Sequence, residues 1–177
     1  MTITAQVIAD SVSPEGKRLT TFQLNELFDY DPLTGILTHK VSRQGVTKGM
    51  VAGSIKADGY VHIKVFGVEY YAQRIIWQMI YGDDDMPPMV DHEDGVKHNN
   101  RLKNLRAATS GQNLANSKPR KDNRSGIKGV RASGKRWISS ITKHGKSVHL
   151  GTFNTPQEAS AAYAEAAVAY HGAFAKP

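Results

Sequence analysis

Residues 118–126, KPRKDNRSG, admit no regular element. A proline removes a backbone donor, a glycine frees the backbone, and the charges between them repel burial. A chain interrupted in this way is constrained to fold as two modules joined by a basic linker. Its 177 residues are enough for one ordinary domain or two small ones. The charge divides at the same place. The net charge is +7, yet residues 111–177 alone carry eleven Lys and Arg against three Asp and Glu. Residues 81–110 are net negative. A basic module of this kind commonly binds nucleic acid, and a merely solubilising surface is the alternative.

Other classes are excluded or disfavoured. There is no apolar run long enough to span a bilayer, and no basic start followed by an apolar block to act as a secretion signal. A cytoplasmic location is therefore expected. The chain has no cysteine, so neither a disulfide framework nor a thiolate zinc site is available.

Before the linker, Phe22, Leu24, Leu27 and Phe28 suggest a short helix that ends at the Pro/Gly turn DPLTG. Val61, Ile63 and Val65 alternate with polar residues, the period of a half-buried strand. Ile75, Ile76, Met79 and Ile80 recur at helical spacing, with Gly82 as the C-cap. Residues 90–117, VDHEDGVKHNNRLKNLRAATSGQNLANS, then read as strand, loop, strand and short helix, the first strand ending at Asp91-His92. Acidic groups repel a polyanion unless a cation lies between them. Asp and Asn oxygens suit a hard cation such as magnesium. A neutral histidine beside them accepts a proton from water, and a metal acts as Lewis acid on a phosphodiester. Each piece has a plainer meaning: Asp-His pairs occur by chance, and asparagines mark turns. Glu93 and Asp94 read as loop residues, His98, Asn99 and Asn100 as turn or DNA-facing groups, and Asp83–Asp85 as solvated charges.

Taken together, this stretch resembles the HNH (ββα-metal) nuclease motif of phage and intron homing endonucleases. DYDPLTGILTHK, DGYVHIKV and AQRIIWQMIYG resemble the segment that precedes it, so that the resemblance covers roughly residues 24–117. It implies that Asp91 and Asn113 hold a divalent metal, magnesium or alternatively manganese. It makes His92 the general base and Asn104 the brace of the loop between the strands. One departure is Gln73, where the family often has histidine.

After the linker, IKGVRAS, KRWISSITKHG and KSVHLGTF are strand-like, with turns at Ser133-Gly134 and His144-Gly145. Thr155, Pro156 and Glu158 then open an Ala-rich helix with a capping box. Residues 125–176 resemble Apetala-type (ethylene-response-factor) DNA-binding domains. The resemblance implies that Arg131, Arg136, Trp137 and Lys143 face DNA, with Lys135, Lys146 and His149 beside them. Trp137 as part of the core and Lys146 as a solvated charge remain the structural alternatives. Ile141, Leu150, Phe153 and Tyr163 are assigned to the core.

Residues 3–24 resemble the N-terminus of phage-type flavin-dependent thymidylate synthases, which implies an intron-encoded frame continuing from an upstream exon. An ordinary strand or leader is the alternative. The expected organisation is an α+β chain: a leader over 1–19, a ββα-metal HNH nuclease domain over 20–117, a linker over 118–126, and a three-stranded antiparallel sheet with one packed helix over 127–177. The expected partner is double-stranded DNA, and the chain is a monomer or homodimer. The expected activity is site-specific, single-strand DNA cleavage; a catalytically silent DNA-binding protein is the alternative.

Overall fold

The computed structural model describes residues 19–43, 45–120, 122–143 and 145–176. The leader expected over 1–19, apart from Leu19, lies outside the described residues, and so does His144 of the second expected hairpin turn. The chain is mixed α and β, with several small antiparallel sheets, and divides into two units at Ala107/Ala108.

In the first unit, helix α1 (Thr21–Leu27) starts at a reciprocal cap. The Thr20 hydroxyl accepts from the Gln23 amide at 3.2 Å, and the Gln23 side chain accepts from the Thr20 amide at 2.8 Å. A cap of this kind satisfies donors that a seven-residue helix cannot pair internally. Leu24 and Leu27 enter the core, while Phe22 is 61% exposed and Phe28 already belongs to the next strand. Strands β1 (Phe28–Asp31) and β2 (Ile36–His39) form a hairpin closed by the DPLTG turn. Strands β3 (Ser54–Ile55), β4 (Val61–Val65) and β5 (Val68–Tyr71) form an antiparallel sheet, with Ile63 and Val65 buried as their alternation requires. Helix α2 (Ala72–Tyr81) buries Ile75, Ile76 and Trp77 and ends at Gly82, whose positive φ of 96° suits a residue without a Cβ. Asp83 is exposed, yet it is more than a solvated charge: its carboxylate accepts from the Thr21 amide and from Gln78 Nε2, the latter at 2.6 Å. It thereby ties the start of α1 to the end of α2. Strands β6 (Met89–His92) and β7 (Leu105–Ala108) pair as a two-stranded sheet, with a 3-10 turn at Leu102–Asn104 between them.

His39 lies in this core, 6% exposed, with its ring 5.2 Å from that of Phe28. Burial, aided by the Arg43 guanidinium, holds its pKa below the ordinary value of 6.5. Above that value both folded and unfolded chains carry a neutral ring, and His39 adds no pH dependence. As pH falls through it, the unfolded chain takes up a proton that the folded chain resists, so stability is lost until the folded pKa is passed. Urea midpoints are expected to fall between pH 7.5 and 5.0, and His39→Leu is expected to shrink that fall. An unchanged difference in the variant would rule His39 out as its source.

In the second unit, β8 (Val130–Ser133), β9 (Arg136–Lys143) and β10 (Lys146–Phe153) form an antiparallel sheet in the order β10-β9-β8. Helix α4 (Pro156–His171) begins at the expected capping box of Thr155 and Glu158. Its Ala159, Tyr163 and Ala167 are buried at a spacing of four, and Ser139 and Ile141 of β9 are buried with them. Small residues at two of the three positions let the helix lie close to the strands. Leu150 and Phe153 are half-buried rather than central.

Helix α3 (Ser110–Asn116) belongs to this second unit, whereas the sequence placed it in the first domain, ahead of a linker. One tie to that unit is Lys128. Its ammonium donates to the carbonyls of Leu114, Ala115 and Ser117, capping the negative end of α3.

Candidate functional site

Strand β6 delivers two polar side chains into a buried position. Asp91 and His92 are each 4% exposed. A buried carboxylate needs a partner, and Arg106 of the facing strand β7 supplies it, with Nε 2.9 Å from Asp91 Oδ2. Arg106 Nη1 also stands 3.5 Å from Glu93 Oε1. A carboxylate has two oxygens, so it can serve a guanidinium and a cation together.

The His92 ring is fixed by Asn100, whose Oδ1 is 2.9 Å from Nε2. The Tyr60 ring flanks it at 5.9 Å between centroids. Burial pushes the His92 pKa below its ordinary value, against the opposing pull of Asn100, Asp94 and Asp91. Asn100 itself is 2% exposed. The sequence reading as a turn or DNA-facing residue missed this role, and nothing in the local pattern distinguishes Asn100 from Asn99.

Asn104 joins the two ends of the loop between the strands. Its carbonyl accepts from the Glu93 amide at 2.9 Å, and its Oδ1 from the Asp94 amide at 3.0 Å. Its Nδ2 donates to Asp94 Oδ1 at 3.0 Å and to the Asn99 carbonyl at 2.7 Å. Burial alone would raise the Asp94 pKa, but hydrogen bonds from Asn99, Val96 and Asn104 hold it low. Glu93 and Asp94 are thus loop-building groups, and Asn104 is bonded to both Asp94 and Asn99 of the loop.

Asp91, His92 and Asn104 lie in the first unit, and Asn113 lies half-buried on α3 in the second. Among the described residues no group of three or more His, Asp and Glu side chains forms a ready metal cage. Gln73 is buried in the first turn of α2.

The register of the second unit's sheet sorts the candidate DNA-binding residues by face. Side chains alternate along a strand. Ser139 and Ile141 pack under α4, so Trp137 and Lys143 share the helix-bearing face. Lys143 Nζ lies 4.3 Å from the centroid of Tyr170 on α4. Lys146 pairs with Lys143 and falls on the same face. Arg131 is paired with Ile138, and His149 with Ser140, which puts both on the open face together with Arg136. Lys135 lies exposed in the β8–β9 turn.

Comparison with known proteins adds to this geometry. Residues 70–115, from the end of β5 through α2, β6 and β7 into α3, match the HNH endonuclease family. The chain is also similar to Protein 3.8 of Escherichia phage T7, at 37% identity over 73 residues. That alignment covers 40% of this chain and 60% of the phage protein. No helix among the described residues is long and apolar enough to cross a membrane.

Proposed function

We propose that the chain is a metal-dependent HNH endonuclease that cuts one strand of double-stranded DNA at chosen sites, in the manner of phage or intron homing enzymes. The observation that carries this reading is a buried histidine, held by an amide oxygen and adjacent to a buried carboxylate, inside the segment that matches the family. Asp91 and Asn113 are the residues that would hold the cation. Both offer hard oxygen donors of the kind that suit magnesium or manganese. A bound cation supplies positive charge at the phosphate and at the leaving oxygen.

The protein's own groups do the rest. His92 takes a proton from water as that water's oxygen bonds to phosphorus. The bond from phosphorus to the 3′ oxygen breaks, and the 3′ oxygen takes a proton from solvent. Asn104 keeps the loop closed, so that His92 stays aligned with the strand. The basic second unit, read as an Apetala-type module, holds the duplex largely through phosphate charge. Arg131, Arg136 and His149 on the open face are the best placed for that contact, with Lys135 at its edge. Trp137, Lys143 and Lys146 would contribute from the opposite face. One site per chain cuts one strand, so a monomer nicks; a double-strand break needs a homodimer or two successive events.

A silent DNA-binding protein is the second reading, favoured by the engagement of Asp91 with Arg106. Supercoiled plasmid decides between them. With magnesium the protein is expected to convert it to the open circle, and EDTA is expected to stop the conversion. Retention of plasmid with no cutting under magnesium or manganese would establish the silent reading.

A further inference from the structure

The DPLTG turn lies far from the Asp91-His92 pair in sequence, yet three consecutive residues of the loop beside His92 are bonded to it or to its approach. Tyr30 Oη donates to the Asn100 carbonyl at 2.8 Å. Arg101 Nε donates to the Leu33 carbonyl at 2.9 Å. The Leu102 amide donates to the Pro32 carbonyl at 3.3 Å. The turn is itself stiff. The Asp31 carboxylate accepts from the Leu33 amide at 2.9 Å and from the Thr34 hydroxyl at 2.7 Å, and the Gly35 amide closes onto the Asp31 carbonyl at 2.8 Å. Gly35 has a φ of +79°, and a Cβ there would lie 2.5 Å from the Arg101 nitrogen and 2.6 Å from the Asn100 carbonyl carbon. The two backbones therefore touch with no side chain between them.

We propose that this turn is a positioning device for the reaction: it fixes the backbone at Asn100 so that the Asn100 side-chain oxygen holds His92 as its Nε2–H tautomer. Asn100 and Tyr30 are positioning residues. An amide oxygen can only accept, so the ring nitrogen facing it carries the proton. The second nitrogen, Nδ1, is then the proton acceptor, since the hydrogen bond at one ring nitrogen sets the state of the other. Burial pushes the Tyr30 hydroxyl up to about 12, so it remains a donor throughout the working pH range. The device rests on the nuclease reading for its purpose but not for its existence.

The test therefore has two readouts. In ¹⁵N-labelled, metal-free protein, long-range ¹H–¹⁵N correlations report the His92 tautomer directly. Wild type is expected to show Nε2–H. Asn100→Ala is expected to lose that preference and to slow nicking about 10–100-fold, with plasmid affinity changed less than about twofold. Asn100→Asp keeps an acceptor oxygen in place and is expected to retain the tautomer and recover most of the rate. Tyr30→Phe, which removes only the hydroxyl, is expected to weaken both readouts in parallel and guards against loss of fold in Asn100→Ala. Wild type showing Nδ1–H would overturn the proposal, as would Asn100→Ala or Tyr30→Phe leaving both the tautomer and the rate unchanged. Nε2–H in a wild type that never cuts would count against the nuclease reading and leave the positioning intact.

Discussion

His92→Ala is expected to lower magnesium-dependent nicking by about 10²–10⁴-fold, the range over which a positioned proton acceptor accelerates a reaction. Plasmid affinity should stay close to that of wild type, because the basic charge to which we assign the hold on phosphate lies in the other unit. The substitution also strands the buried Asn100 oxygen and opens a small cavity, so a modest loss of stability accompanies it. A thermal melt at the assay temperature separates that loss from the chemical one. His92→Gln retains a donor toward Asn100 but lacks a basic nitrogen. It should fold better than the alanine variant and cut no faster. If either variant nicks at the wild-type rate, His92 is not the base.

The second large effect is structural. Gly129→Ala is expected to unfold the C-terminal unit. At φ +71° the backbone is in a region that side chains disfavour, and the new Cβ would lie 2.1 and 2.3 Å from the Tyr163 ring and 2.6 Å from the Ser140 carbonyl oxygen. Tyr163 is 5% exposed and packed with Ile141 and Ala167, so its ring has nowhere to retreat. Backbone strain of about 1–3 kcal/mol adds to overpacking of about 1–3 kcal/mol. A core this small rarely supplies more than about 3–5 kcal/mol. Each unit holds one of the two tryptophans, Trp77 and Trp137. In a Trp77→Phe background, emission therefore reports the second unit alone. A red-shifted spectrum at room temperature is the expected result, and a wild-type melting curve would refute it.

Much of this organisation is legible in the sequence because it is local. Ile63 and Val65 announce a half-buried strand by alternation, and both are buried. Thr155 to Glu158 announces a helix start, and the cap forms. Thr109 with Gln112 does the same for α3. What the sequence conceals is set by partners distant in the chain or by a single step of register. The pairing of Asp91 with Arg106 depends on how β6 meets β7, although opposite charges on adjacent strands are a signal that could have suggested it. The setting of the buried Asn100 includes a bond from Tyr30, 70 residues upstream. Trp137 and Lys143 read as DNA-facing by resemblance, yet strand alternation sets them on the side of α4, because one residue of register exchanges the faces of a sheet. The grouping of α3 with the second unit is equally hidden, since the reach of Lys128 back to its last carbonyls leaves no mark in composition.

Leu33, at the tip of the DPLTG turn, is 81% exposed and looks like a convenient place for an epitope tag or an extra residue. Its main chain says otherwise, since the carbonyls of Pro32 and Leu33 are already occupied by Leu102 and Arg101. Different side chains at position 33 should cost little. Lengthening the hairpin by even one residue would shift the register of those acceptors, so engineers seeking a permissive insertion point should look elsewhere on this surface.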